Sequence, residues 1–299
     1  MYSLGIVIGG PTAAGKSELA FEVQKKIPSF IVNADSMQVY DKLNKLTNTP
    51  TKKEISEFDC KLYCFVKYPS LCDLGLWLKN VQETLTVNSS KIPIFVGGTG
   101  MYLDSLNGQI SPLPKIPDEI IKKVLEKQKT KGNHYLYKKL QEFDPAYALK
   151  ISKNDSQRIV RSLSVRIFTG RNFSTWHSIK SKKFFKKLIY IVVNNDRRKL
   201  YNKINHRCHD IFNSGCIDEI KRFLKSDESK ESHPLKKAIG FKTFKNMING
   251  LISKNEALEE FKTETRRYAK RQLTWFKNKS SEVNFLPHNK VISFILKNF

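Results

Sequence analysis

The sequence has few cysteines, and they form no framework. Five are present, at Cys60, Cys64, Cys72, Cys208 and Cys216. An odd number without paired spacing, and no Cys-x-x-Cys, excludes a disulfide-stapled scaffold. His206, Cys208, His209 and Cys216 lack any standard zinc spacing, so ordinary placement is expected for them. Cys60 and Cys64 are spaced to share a helix face. Apolar runs long enough to span a bilayer are missing, so no membrane association is expected. Internal repeats and low-complexity tails are missing too. The first strand-like run, Leu4–Ile8, begins almost at the initiator Met and leaves no room for a signal or transit peptide, so a cytoplasmic protein is expected. Acidic residues are scarce, 28 against 53 Lys and Arg, for a net charge of +25. That excess suggests a polyanionic partner, usually nucleic acid. AT-rich coding yields a similar composition without any ligand, so the distribution of charge says more than its total.

What is present is a core. Hydrophobic residues make up 40% of 299 residues, which suits one large domain or a core with a smaller module. A monomer is expected. Strand candidates are Leu4–Ile8, Phe30–Val32 and Ile92–Val96, with an amphipathic helix from about Ser17 to Lys26. Strand, Gly-rich turn, helix, strand is the pattern of a parallel α/β sheet. The proline-rich stretch Ser111–Pro117 reads as a linker or hinge. Residues of about 118–180 carry apolar positions at three- and four-residue spacing and read as helical. Leu188–Val193 then reads as a buried strand, so the chain returns to the same sheet, and the rest is expected to be helical to about Lys279. The predicted architecture is a P-loop NTPase-like parallel core, 1–115 and 185–299 with C-terminal helices, carrying an inserted helical domain at 116–184.

Gly10-Pro11-Thr12-Ala13-Ala14-Gly15-Lys16-Ser17 fits G-x4-G-K-[ST]. Glycines let backbone N–H groups converge on phosphate oxygens, Lys16 adds a charge, and Ser17 can place a hydroxyl on Mg²⁺. The following helix aims its positive end at the anion. The motif specifies a diphosphate or triphosphate, not ATP as such. An NTPase needs a further acidic residue at a strand end. Gly97-Gly98 follows the third strand instead, although Asp196 follows Leu188–Val193 and keeps an ATPase open. Asp35 ends the second strand, near where α/β ligand sites lie.

Several further segments carry a resemblance. They are Asp35-Ser36-Met37-Gln38-Val39-Tyr40, Val96-Gly97-Gly98-Thr99-Gly100-Met101-Tyr102-Leu103, and Asn154-Asp155-Ser156-Gln157-Arg158 with Arg161. Asp196-Arg197 with Leu200, Tyr201, Ile204 and Arg207 follows, then Ala238-Ile239-Gly240-Phe241-Lys242 and Thr265 to Phe276. Together with the phosphate loop, and in this order, they resemble the tRNA dimethylallyltransferase (tRNA isopentenyltransferase) family over most of the chain.

The resemblance implies transfer of a dimethylallyl group from dimethylallyl diphosphate to N6 of adenosine 37, in the anticodon stem-loop of tRNA, forming N6-dimethylallyladenosine. Negative charge growing on the leaving diphosphate would be met by N–H donors, Lys16 and Mg²⁺ on Ser17. The N6 amine is a poor nucleophile, so a base must take its proton; Asp35 is the candidate. A Mg²⁺ second-shell carboxylate or strand-end cap is its alternative role. Thr12 would bond diphosphate or hold Asp35. The loop and Asp35 are expected to meet at the tips of neighbouring strands, with a flipped-out purine between them. Gln38 could pair with adenine N6 and N7, and Ser36, Met37 and Thr99 would line the base. Gln157, Arg158, Ile159, Val160 and Arg161 would touch RNA from the insertion; without the resemblance, Arg158 and Arg161 read equally well as a solvated face. Arg267 and Arg271 share a stripe of a late helix, beside Arg266 and Lys270, where they would grip phosphates. Tyr268, Trp275 and Phe276 either stack on bases or form that helix's buried face, and ordinary patterning favours the second. Lys182, Lys183, Lys186, Lys187, Arg197, Arg198 and Lys199 form another basic cluster suited to salt-sensitive RNA contact.

The chain departs from the family after Tyr40. Leu46–Thr51 replaces a Gly-Thr-Ala-Lys-Pro-Thr segment, a His-His pair is absent near Cys60, and Asp73–Leu78 replaces Tyr-Ser-x-x-x-Phe. Lys237 stands where Arg or Gln is usual; it could face diphosphate without a bidentate fork. These changes bear on rate and tRNA affinity more than on reaction type. The competing functions are a P-loop nucleotide kinase binding ATP, an adenylate isopentenyltransferase, and an RNA-binding protein without turnover.

Overall fold

Six strands form one sheet: β1 (Tyr2–Gly9), β2 (Ser29–Asn33), β3 (Cys60–Lys61), β4 (Ile92–Gly97), β5 (Phe185–Val193) and β6 (Asn284–Leu286). The computed structural model describes residues 2–179, 181–226, 233–278 and 283–299. All strand pairs are parallel, in the order β3-β2-β4-β1-β5-β6. Parallel strands need crossovers that cover both sheet faces, so their interiors are apolar without alternation. Ile6–Ile8, Phe30–Val32 and Ile191–Val193 are accordingly buried throughout. Each long strand of the sequence reading is present, one to three residues longer than expected at one or both ends. The two edge strands were not anticipated, since two or three residues carry no readable period. β6 lies beyond Lys279, after the stretch expected to be helical. Cys60 lies in β3 and Cys64 beyond it at a φ of 51°, so they share no helix face. The helix after the phosphate loop spans Lys16–Gln24, and the long late helix spans Lys254–Lys277; Lys279 lies outside the described residues.

The chain divides into two compact units, Met1–Leu103 with Phe185–Phe299, and Asp104–Phe184. The second unit takes in 104–115 as well as the stretch 116–184, because Leu113 and Ile116 pack onto its core. That unit is helical: Asp118–Phe143, Pro145–Ala148, Ser156–Thr169 and Phe173–Ser178. The first is broken at Gly132, whose φ of 80° and ψ of 165° are not helical. Leu136, Leu140, Ile159, Leu163 and Phe173 form its core. Buried Asp144 accepts from Tyr147 N and Ser174 N, tying two short helices to the end of the long one.

In the first unit, the late helix begins with a Ser253–Glu256 capping box. Apart from Lys262, its buried positions, Ala257, Phe261, Thr265, Ala269, Gln272 and Phe276, fall at steps of three or four, on one face. Gln272 interrupts this stripe as a polar side chain only 5% exposed. A buried amide must find partners, and one lies in the phosphate loop, the other in the turn after β4.

Candidate active site at the carboxyl edge of the sheet

The strands register so that their carboxyl ends share one edge: Gly9 pairs with Gly97 and Val192, and Asn33 with Val96. Ligand sites of parallel sheets form at this edge. The phosphate loop leaves β1, Asp35 follows β2, the Gly97–Gly100 turn leaves β4, and Asn195 follows β5. β1 and β2 are not neighbours, contrary to the expectation, because β4 runs between them. The tips still converge, since β4 ends in glycine. A Cβ on Gly97 would stand 2.0 Å from Ala34 O, and one on Gly98 would stand 2.0 Å from Gln272 Nε2.

Gln272 clamps this edge. Its Oε1 accepts from Thr12 N at 2.9 Å, and its Nε2 donates to Gly98 O at 3.0 Å. Asn195 Nδ2 donates to Ala14 O at 3.2 Å. Not every N–H of Gly10–Ser17 is therefore available to phosphate. Pro11 has none, Thr12 N is held by Gln272, and Ala14 N bonds Pro11 O. Gly15, Lys16 and Ser17 stand at the helix start, where N–H groups have no partner within the helix. Ser17 is exposed. The Thr12 hydroxyl makes no bond to Asp35 among the described residues. Gln272→Ala should leave Thr12 N and Gly98 O unpaired, costing about 1–3 kcal/mol of stability and raising KM for a diphosphate substrate. Urea unfolding and steady-state kinetics would test this, and an unchanged unfolding midpoint would show the clamp to be dispensable.

One cation centre faces one carboxylate. Lys16 Nζ donates to Pro11 O at 2.7 Å. Burial, and then the positive charge of Arg207, lower its amine to about 7, against the opposing pull of Asp35. Arg207 is lowered by burial and held up by Asp35. Burial also raises the phenols of Tyr63, Tyr102 and Tyr268, and the charge of Asp35 adds to each shift. Lys16, Arg207, Asp35 and three tyrosines thus share one electrostatic environment. Asp35 is fixed by a turn in which its N donates to Asn33 Oδ1 at 2.9 Å, while its own Oδ1 accepts from Met37 N at 2.9 Å. Asn33 O in turn accepts from Trp77 Nε1 at 2.9 Å. Ser36 N donates to Thr99 Oγ1 at 3.0 Å, so Thr99 braces the segment after Asp35.

Other expected site residues are placed differently. Gln38 Nε2 donates to Thr47 O and Asn48 O at 3.1 and 2.9 Å, so pairing with both adenine N6 and N7 would require giving up these bonds. Oε1 remains as an acceptor for an amine. Ile159 and Val160 are 0% and 7% exposed in the second unit's core and cannot contact RNA; helical spacing turns them inward. Gln157 and Arg158 are exposed, with Arg158 paired to Asp155 at 2.8 Å. Arg267 and Arg271 are exposed, and Arg271 lies over the Tyr268 ring at 5.5 Å. Of the three aromatics, Phe276 is buried as expected, Tyr268 is half-buried, and Trp275 is 37% exposed with its ring against Gly100. Lys237 is exposed at the end of a 3-10 turn, and no hydrogen bond joins it to the phosphate loop among the described residues. Asp196 caps the helix Arg197–Asn213 by accepting from Arg198 N and Lys199 N, which accounts for its carboxylate without a metal. Arg207 and Gln272 were present in the quoted motifs without a role. The signal for Gln272 was its place on an apolar stripe; Arg207 had none beyond the motif.

The family model for IPP transferase matches residues 38–279. A tRNA dimethylallyltransferase of Bartonella henselae is 40% identical over 281 residues, covering 92% of this chain and 96% of its own. One of Rhizobium johnstonii is 38% identical, with 93% and 94% covered. Among solved structures, the tRNA isopentenylpyrophosphate transferase of Bacillus halodurans superposes with a TM-score of 0.70 at 27% identity, covering 100% of this chain and 95% of that one. A eukaryotic dimethylallyltransferase crystallised acting on tRNA gives 0.78 at 27% identity, covering 92% and 70%. A P-loop-like parallel sheet with this carboxyl-edge site, matched over nearly its whole length by such relatives, belongs to the tRNA dimethylallyltransferase family.

Proposed function

We propose that this chain transfers the dimethylallyl group of dimethylallyl diphosphate to N6 of adenosine 37 in tRNA, acting as a cytoplasmic monomer on the anticodon stem-loop. The observation that carries the proposal is the meeting of desolvated Lys16, Arg207 and the fixed carboxylate of Asp35 at one sheet edge. In the reaction the C1–O bond of the allylic diphosphate breaks and the N6–C1 bond forms. The diphosphate leaves with the electron pair, held by Lys16, Arg207 and the N–H groups at Gly15–Ser17. The N6 proton passes to Asp35, whose Oδ1 is already engaged by Met37 N, so Oδ2 is the accepting atom. Thr12 is left with the diphosphate as its partner. Ser17 would hold Mg²⁺, since an exposed hydroxyl beside phosphate oxygens is the hard donor set that Mg²⁺ takes. The ion would supply further neutralisation of the leaving group.

Gln38 Oε1 would accept from N6, and Ser36 and Met37 would line the base. Gln157, Arg158 and Arg161 would meet RNA on the second unit, and Arg267 and Arg271 on the late helix. Lys237 would add a long-range charge toward the diphosphate. The nucleotide kinase alternative is disfavoured by Asp196, spent on a helix cap, and by glycine at the end of β4. Incubation with dimethylallyl diphosphate, Mg²⁺ and unmodified tRNA, followed by nucleoside mass spectrometry, should give N6-dimethylallyladenosine at position 37. Product on free AMP but not on tRNA would point to an adenylate isopentenyltransferase. ATP consumption with a small acceptor would point to a kinase.

A further inference from the structure

A cleft of about 580 Å³ opens between the helix Arg197–Asn213 and the late helix. Arg197, Arg198, Tyr201, Asn202, Asn205 and Arg266 line it, with Asp196 at its end. Arg198, Tyr201, Asn202 and Asn205 recur at three- and four-residue steps, so they form a row on one helix face. From Arg198 to Asn205 that row runs roughly 10 Å.

The cleft is cationic on balance, with three arginines against the one lining carboxylate of Asp196. Arg266 donates to Asn205 Oδ1 and Thr263 Oγ1, both at 2.9 Å, so neutral partners fix its plane. Arg197 lies over the Tyr201 ring at 5.1 Å. None of the three arginines has a carboxylate partner within 4.0 Å among the described residues. Asp196 spends its carboxylate on Arg198 N and Lys199 N, so the helix start offers these amides to no ligand. A small anion would find no cradle of N–H groups here. A row of guanidinium, amide and phenol donors instead suits phosphates and hydroxyls presented in succession.

The helix that lines the cleft also serves the reacting centre through other residues. Asn195, one residue before Asp196, holds Ala14 O of the phosphate loop. Arg207, two residues beyond Asn205, shares the environment of Lys16 and Asp35. We infer that this cleft seats the phosphodiester backbone of the substrate RNA outside the modified nucleotide, an inference that rests on the tRNA reading above.

The test measures tRNA binding over a series of KCl concentrations for Arg198→Gln, Arg266→Gln and the double variant, with pyrophosphate inhibition as the small-anion probe. Each substitution should make the slope of log affinity against log salt shallower by about 0.7–0.9 and weaken tRNA binding several-fold at low salt. Pyrophosphate inhibition should keep its wild-type constant. Lys79→Gln, on the exposed face of the helix Leu74–Val87 and paired among the described residues with Glu83, should keep the wild-type slope. Unchanged salt slopes in the folded double variant would overturn the inference. So would weakened pyrophosphate inhibition with intact tRNA binding, which would make the cleft a small-anion seat. Should Arg266→Gln fail to fold for loss of its two bonds, Arg198→Gln alone decides. The tRNA-binding arm is read without turnover, so a wild-type protein that binds tRNA but forms no product would refute the proposed reaction and leave the salt-slope comparison valid.

Discussion

Asp35→Asn is expected to lower the single-turnover rate of tRNA prenylation by about 10²–10⁴-fold, the usual contribution of a positioned base. The substitution is chosen because it separates two functions of the side chain. Oδ1 accepts from Met37 N and so shapes the turn that carries Ser36–Gln38. Asn keeps that oxygen and the turn. It loses the second carboxylate oxygen, the one able to take a proton from N6. The charge that Lys16 and Arg207 feel from Asp35 is lost as well, so affinity for the diphosphate should shift, but tRNA affinity should stay within a few-fold. Chemistry measured under single-turnover conditions avoids product release as a confounder. A variant with wild-type single-turnover rate would remove Asp35 from the mechanism and leave it a strand-end cap.

The second large effect concerns pH. In the free protein the Lys16 amine is lowered to about 7, first by burial and then by Arg207. A lowered lysine pKa means that the neutral amine predominates above that value. Diphosphate binding requires the charged form and restores its pKa, so binding takes up a proton above pH 7. KM for dimethylallyl diphosphate is therefore expected to be level below about 7 and to rise by up to tenfold per pH unit above it. Lys16→Gln should raise KM overall and abolish the inflection. Arg207→Gln removes a like charge and should move the inflection upward while weakening binding. Because the ionisation of the donor is common to all three proteins, differences between their profiles report the side chains. An inflection that persists in Lys16→Gln would assign it to another group.

Much of this arrangement is legible in the residues. The phosphate loop announces itself by two glycines and a lysine between an apolar run and a helix. The strands β1, β2, β4 and β5 are apolar without alternation, as parallel strands must be. What was not legible depends on three-dimensional closure. The order that places β4 between β1 and β2 is set by crossovers, which leave no local pattern. Ile159 and Val160 lie between the arginines of one motif, Arg158 and Arg161, and only their helical phase shows that they turn inward. Gln38 carries a side chain suited to adenine, yet Thr47 and Asn48 occupy its donors, because the loop at 43–49 folds back over it. Glu219 holds that loop by accepting from Lys45 N and Leu46 N, a contact across more than 170 positions that no spacing could reveal.

The Gln272 clamp has a consequence for the order of events in the cell. Thr12 and Gln272 are 260 positions apart. The ribosome therefore delivers the phosphate loop long before its brace. Until the late helix docks, the loop lacks the contact that fixes Thr12 and the Gly97–Gly98 turn. Under the proposed function, capture of the prenyl donor would wait until that helix has been made and docked, and a chain lacking it would have no completed seat.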